Sequence, residues 1–397
     1  MSQQINRRNF LRMGLKGVSL FAAGGLASAS ISSAARAEEM SSGIFSSLHD
    51  IGDLLPPDEN GVRLPPGFKS RIVARSGEAP VGFPGYTWHA APDGGATYAT
   101  EDGGWVYVSN CERRSNHGGV GALRFSSDGE VIDAYSILQN TSINCAGGST
   151  PWGTWLSCEE FSIGQVYECD PMGNSRAVVR PALGSFRHEA VVVDSENQCL
   201  YLTEDTRDGG FYRFRPDGGL PNLSSGVLEI AAVNETAQGS FIEWHTVPDP
   251  SASDESTRHQ VPGSYPFKGG EGIGIFEGKV YFTTKHDNRV WIYDTDNHKL
   301  EVLYDVETSS NPILTGVDNV VITSSGDVLV AEDGGDMQLV VLTDDRVIPL
   351  LQIVGHERSE ITGPAFDPSY KRLYFSSQRG SEGRSAAGIT YEISAIG

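Results

Sequence analysis

Basic residues are scarce in this chain. Thirty Lys and Arg stand against 51 Asp and Glu over 397 residues, a net charge of −21. That balance excludes the basic footprint a nucleic-acid binder needs, and suits carboxylates gathered around hard cations. No stretch reaches the roughly 18 unbroken apolar residues of a membrane span. The five cysteines (Cys111, Cys145, Cys158, Cys169, Cys199) form no Cys-x-x-Cys pair and no zinc-ribbon spacing. A Gly-x-Ser-x-Gly elbow is missing, which removes support for a serine hydrolase. Gly147-Gly148 and Gly334-Gly335 lack the strand–GxGxxG–helix context of nucleotide binding, so they read as turn glycines. What the chain does have is 47 Gly and 39% hydrophobic residues, the composition of a turn-rich globular protein with ample core.

Asn6-Arg7-Arg8-Asn9-Phe10-Leu11-Arg12 places a twin arginine ahead of a mildly apolar stretch, Met13 to Ser30, and Ala35-Arg36-Ala37 offers a small-x-small cleavage site. Residues 1–37 are therefore expected to be a twin-arginine signal peptide. The expected partner is the twin-arginine (Tat) export machinery, and the destination periplasmic or extracellular, with no membrane attachment after cleavage. In an exported protein an odd cysteine count leaves at least one thiol unpaired.

Short β-rich runs recur: Val106–Ser109, Trp155–Cys158, Leu200–Thr203, Val280–Thr283, Val328–Ala331 and Leu373–Ser376. They start 45 to 49 residues apart, except for one interval of 80. Such a period marks a repeat architecture. After a Gly-rich or polar turn a second run follows each, from Gly121–Phe125 to Gly388–Glu392. Pairs of strands repeated six times without helical periodicity predict an all-β fold, a six-bladed β-propeller, as one domain over 63–397. Residues 38–62 read as a surface arm, and about 218–263 as an irregular insert rich in Pro, Asp and Ser. Gly67–Ala74 is placed to supply the strand that closes the last blade.

Before each β-run lies an earlier, innermost strand with polar residues at its entrance: His89 and Asp93, Asn144-Cys145, Arg187-His188-Glu189, Glu271, Asp318-Asn319 and Arg358-Ser359-Glu360. Equivalent positions in successive blades converge on one mouth of the channel, so Cys145, Glu189, Glu271, Asp318 and Glu360 are expected to form a ring. Glu159-Glu160, Glu204-Asp205 and Glu332-Asp333 end the next strands. Carboxylates in one cavity repel unless cations or protons neutralise them. Oxygen ligands suit hard cations, and a thiolate among them points to a transition metal as well.

Asn144-Cys-Ala-Gly-Gly-Ser-Thr-Pro-Trp-Gly-Thr-Trp-Leu-Ser-Cys-Glu-Glu160, with Leu64–Phe68, Phe186–Ala190, Gly270-Glu271-Gly272 and Arg358–Gly363, resembles the PhoX family of secreted alkaline phosphatases. The resemblance implies two ferric ions bridged by oxygen, with calcium ions beside them (cofactors Fe3+ and Ca2+), at the channel mouth. It matches Cys145 to a thiolate ligand of iron, and Glu160, Glu271 and Glu360 to acidic metal ligands. Blade register extends the metal set to Glu189 and Asp318. Arg358 matches an arginine that grips phosphate oxygens, and Asn110 falls near an Asn-His-Glu turn, so both are expected in catalysis. The chain departs from the family pattern at Asn110-Cys111-Glu112, which lacks the histidine, at Gly269–Gly272, which keeps only the acid, and at Gln378-Arg379-Gly380. The expected activity is hydrolysis of phosphate monoesters from a phosphorylated small-molecule substrate, by a monomer. A phosphodiesterase, a calcium-dependent lactonase or arylesterase, and a non-catalytic propeller are the alternatives on the same fold.

Overall fold

The computed structural model describes residues 43–80, 82–343 and 346–396; the expected signal peptide lies outside them. Among the described residues there are 26 strands and four short 3-10 turns, with no α-helix. The chain is an all-β, propeller-like fold.

Four-stranded antiparallel runs follow one another. They begin at Pro92–Ala99, Asn144–Ser149, His188–Asp194, Gly270–Phe276, Val317–Ile322 and Ile361–Phe366. Each of these first strands packs against the first strands of the runs before and after it, and Ile361–Phe366 returns to Pro92–Ala99. The strands that follow, such as Trp105–Cys111 and Val328–Glu332, are buried along their whole length. Being covered on both faces, they read in sequence as unbroken apolar runs rather than alternating ones. Six buried hydrophobic clusters fill the spaces between neighbouring runs.

The strands form five hydrogen-bonded sheets, not six separate ones, because one sheet has nine strands. Its link is Gly239–Thr246, which pairs along Gly226–Thr236 and also meets Lys299–Asp305 at Ser240–Leu300 and Phe241–Lys299. The segment expected as an irregular insert thus carries a long β-hairpin. Its Pro and Ser cluster lies in the loop after Thr246, and the apolar run Ile230–Val233 and the alternating Ile242–Trp244 form the two strands. Closure follows expectation: Phe68–Arg75 pairs with Ile389–Ala395. The expected surface arm is partly core. Phe45 and Leu48 are fully buried between the last two runs, and Val62–Arg63 pairs with Val347–Ile353.

The first strands share one irregularity. Each pairs with its neighbour at its first residues, then slips register by one, a β-bulge within the first turn of the ladder. Glycine permits the crowding there. A Cβ on Gly94 would lie 2.5 Å from Ala146 Cα, and one on Gly272 would lie 2.3 Å from Val320 N. The adjacent first strands approach so closely that only a residue without a side chain fits.

Candidate metal and phosphate site

The bulge sets one residue per run at an equivalent place. Counting from the first ladder pair, the next residue is Asp93, Cys145, Glu189, Glu271 or Asp318 in five runs and Thr362 in the sixth. Glu360 therefore stands outside this register: it precedes its strand, and Thr362 holds the equivalent place. A second set comes from the residue just after the second strand. In every run its backbone N–H bonds the carbonyl just before the first strand: Glu112 to Ala91, Glu160 to Ile143, Asp205 to Arg187, Lys285 to Gly269, Asp333 to Gly316 and Gln378 to Glu360. Two concentric registers thus aim at one mouth.

Four groups of three have ligand atoms within 4.8 Å of one another: Cys145, Glu160 and Glu189; Glu189, Glu271 and Asp318; Asp318, Asp333 and Glu360; Asp93, Glu112 and Glu360. Shared members link them into one basin. All six residues expected as metal ligands fall in these groups. Asp93, Glu112 and Asp333 join them; Asp93 and Asp333 were marked in the sequence at a strand entrance and a strand end, and the repeat after the second strand could have signalled Glu112.

Three cations face this acid excess. Lys285 Nζ lies 3.0 Å from Glu271 Oε1, 3.0 Å from Asp333 Oδ2 and 3.8 Å from Asp318 Oδ2. Arg379 donates to Glu360 Oε1 at 2.9 Å. Arg187 pairs with Glu160 and lies 3.6 Å from Asp205. Gln378 Nε2 donates to Asp93 Oδ2 at 2.6 Å and to Glu112 Oε2 at 2.9 Å. The sequence reading missed Lys285 and Arg379 as site members. Glu271 and Asp318, expected to hold metal, also sit beside an ammonium.

Burial sets the protonation of the rest. It pushes Glu160 up to about 8, with Asp205 adding repulsion and Arg187 opposing. It pushes Asp318 up to about 7 against the pull of Lys285. Glu189 is raised by burial and then by Glu271 and Glu160, and neither of its buried carboxylate oxygens has a hydrogen-bond partner. The Cys145 thiol is raised by burial, then by Asp93 and Glu189. Orphaned carboxylate oxygens beside a thiol form a donor set for a cation.

The two residues expected in catalysis differ. Arg358 is exposed and makes no hydrogen bond or ion pair among the described residues. Its loop is pinned on both sides: His356 Nδ1 meets Ser377 Oγ at 2.8 Å, and Ser359 Oγ accepts from Ser377 Oγ and from Arg379 N. Asn110 is a correction. Its amide donates to the carbonyls of Cys145 and Ala146, and its oxygen accepts from Trp155 Nε1 and Ser157 Oγ. Fully buried and fully bonded, it positions the Cys145 strand and offers nothing to a substrate. His188 likewise braces its neighbourhood, with Nε2 on Gly184 O at 3.0 Å and the ring against Phe186.

No helix among the described residues is long and apolar enough to cross a membrane. In comparison with known proteins, the chain is similar to the Pseudomonas fluorescens PhoX structure in complex with vanadate, a transition state analogue. The TM-score is 0.71 at 15% identity, over 87% of this chain and 98% of that one. It is also similar to a structural-genomics protein of unknown function from Bacteroides thetaiotaomicron, with TM-score 0.52 at 9% identity, over 83% of this chain and 76% of that one. No curated protein matches the sequence. The model of the alkaline phosphatase PhoX family matches residues 87–165 and 161–300, a span that takes in the Cys145–Glu160 stretch, Glu189 and Glu271. The chain therefore belongs to the PhoX family of alkaline phosphatases.

Proposed function

We propose that this phosphatase hydrolyses phosphate monoesters at a polynuclear metal site in the mouth of a six-bladed propeller, the nine-stranded sheet being two blades joined through Gly239–Thr246. The observation that carries the reading is Glu189, a buried carboxylate with both oxygens unpartnered beside the Cys145 thiol and Glu160. Sulfur with oxygen suits iron there, and the all-oxygen group of Asp93, Glu112 and Glu360 suits calcium. When bound, such ions supply Lewis acidity toward the phosphoryl oxygens and offset their charge. Arg358, in no ion pair among the described residues, takes the phosphate with two parallel N–H donors, which holds phosphorus in one orientation. Arg379, fixed on Glu360, adds positive charge next to it. Asn110 keeps the Cys145 strand in place from beneath. Export through the twin-arginine route, as a monomer, completes the reading.

The test combines elemental analysis of the exported protein with turnover of p-nitrophenyl phosphate. Iron and calcium should both be present, and Arg358→Ala should cut turnover on the order of 10²–10³ with metal content unchanged, by analogy with the loss of an oxyanion donor. Wild-type turnover in that variant would sink the role of Arg358. Calcium without iron, with turnover of lactones but not of phosphate esters, would replace the reading altogether.

A further inference from the structure

One member of the second register has the wrong sign for a ligand. Glu112, Glu160, Asp205 and Asp333 carry carboxylates and Gln378 an amide that donates to Asp93 and Glu112, whereas the equivalent residue of the fourth run is Lys285. Its backbone is fixed as theirs is, by the bond from its N–H to Gly269 O at 2.8 Å. The side chain then reaches Glu271 on its own run and Asp318 and Asp333 on the next. Glu271 and Asp318 are almost wholly buried, at 2% and 7% side-chain exposure. An ammonium has three donors and no acceptor, and three carboxylates surround it. A divalent ion at this place would draw on the same oxygens, since Asp318 belongs both to the group with Glu189 and Glu271 and to the group with Asp333 and Glu360. Ammonium and metal cannot share that volume.

We propose that Lys285 is a resident cation that stands in for one divalent ion. Glu271, Asp318 and Asp333 are committed to its ammonium. Metal then loads at the two ends of the basin, on Cys145, Glu160 and Glu189 and on Asp93, Glu112 and Glu360. The inference rests on the metal-dependent reading for those two ends, but the role of Lys285 is tested separately.

Lys285→Met keeps an unbranched side chain, one atom shorter, and removes its charge. Wild type, Lys285→Met and the charge-retaining Lys285→Arg are stripped with chelator, dialysed against calcium, and analysed for calcium per chain and for Tm. The expected result is one more calcium per chain in Lys285→Met than in the other two proteins. Its Tm should also rise by roughly 3–5 °C more on calcium addition, as a site filled well above its Kd predicts. Equal calcium counts and equal calcium responses in a folded Lys285→Met overturn the proposal. Should the stripped variant be unfolded, recovery of the fold by calcium supports it, and failure to recover overturns it. A wild-type protein that holds no metal sinks the reading of the two metal ends, while the difference between Lys285→Met and wild type still decides the role of Lys285.

Discussion

The two flanks of the basin are built from the same two register positions and are neutralised in opposite ways. On one flank Glu271 and Asp318 come from the bulges and Lys285 and Asp333 from the ends of the second strands. Burial pushes Asp333 up, but the adjacent Lys285 ammonium, Glu360 and Arg379 together outweigh it and hold the carboxyl below its usual range. On the other flank Cys145 and Glu189 come from the bulges and Glu160 from the second strand, and among the described residues no donor meets the Glu189 carboxylate. Arg187 reaches Glu160 from the rim only. A backbone lattice that repeats around an axis thus fixes where ligands stand, and a single side chain decides whether a flank carries its own cation or needs one from outside.

The contrast can be broken most sharply at the sulfur. Cys145→Ser replaces a soft ligand by a hydroxyl on the Glu189 flank alone. Its metal should be weakened by more than the 10–100-fold that loss of an outer partner costs. Elemental analysis should show that ion gone, with circular dichroism unchanged; iron content equal to wild type would reject the thiolate ligand. Next in size is Asn110→Ala, which leaves the buried Trp155 Nε1 and the Cys145 and Ala146 carbonyls without a partner. A loss of about 3 kcal/mol is expected by urea unfolding, together with weaker metal binding at Cys145 and an unaltered Lys285 flank. No change in stability would mean that Asn110 supports nothing.

The smallest effect separates the flanks by pH. In the metal-free protein Glu160 has its pKa raised to about 8, above the ordinary 4.5 of an unfolded glutamate. Its contribution to stability is complete below about 4.5 and is lost as pH rises through about 8, because the unfolded chain then ionises more readily than the fold. Chelated protein should therefore melt a few degrees lower at pH 9 than at pH 6. Protein loaded with metal should lose much of that difference, since the ion holds the carboxylates ionised. On the Lys285 flank Asp318, pushed up to about 7, adds to the same pH dependence with or without metal at Glu160, so the metal-sensitive part of the difference is what reports Glu160. Identical pH profiles with and without metal would contradict the assignment of Glu160 as a ligand.

Much of this was legible in residue order, for identifiable reasons. The second strands are sandwiched between sheets, so Val328–Ala331 and Leu373–Ser376 stand out as apolar runs at a steady interval. The hairpin at 226–246 was not, because its Pro- and Ser-rich tail gave the whole segment the composition of a loop. Phe45 and Leu48 were also missed, since nothing local distinguishes an apolar residue on an arm from one that docks in a distant cleft. Spacing placed Cys145, Glu189, Glu271 and Asp318 in register, but it overextended the rule to Glu360, which arrives from the preceding loop.

Period, strand content, the acid excess and the Cys145–Glu160 stretch follow from the sequence alone, because they depend on local pattern and composition. Which acids meet which cations was decided only in three dimensions. Lys285 lies 33 residues from Asp318 and 48 from Asp333, and no sequence rule says that its ammonium ends between them. Asn110 looked like a substrate contact until the fold used all of its hydrogen bonds within the protein. Electrostatics acts over a few ångströms of space whatever the separation along the chain, so the charge state of the basin belongs to the tertiary structure.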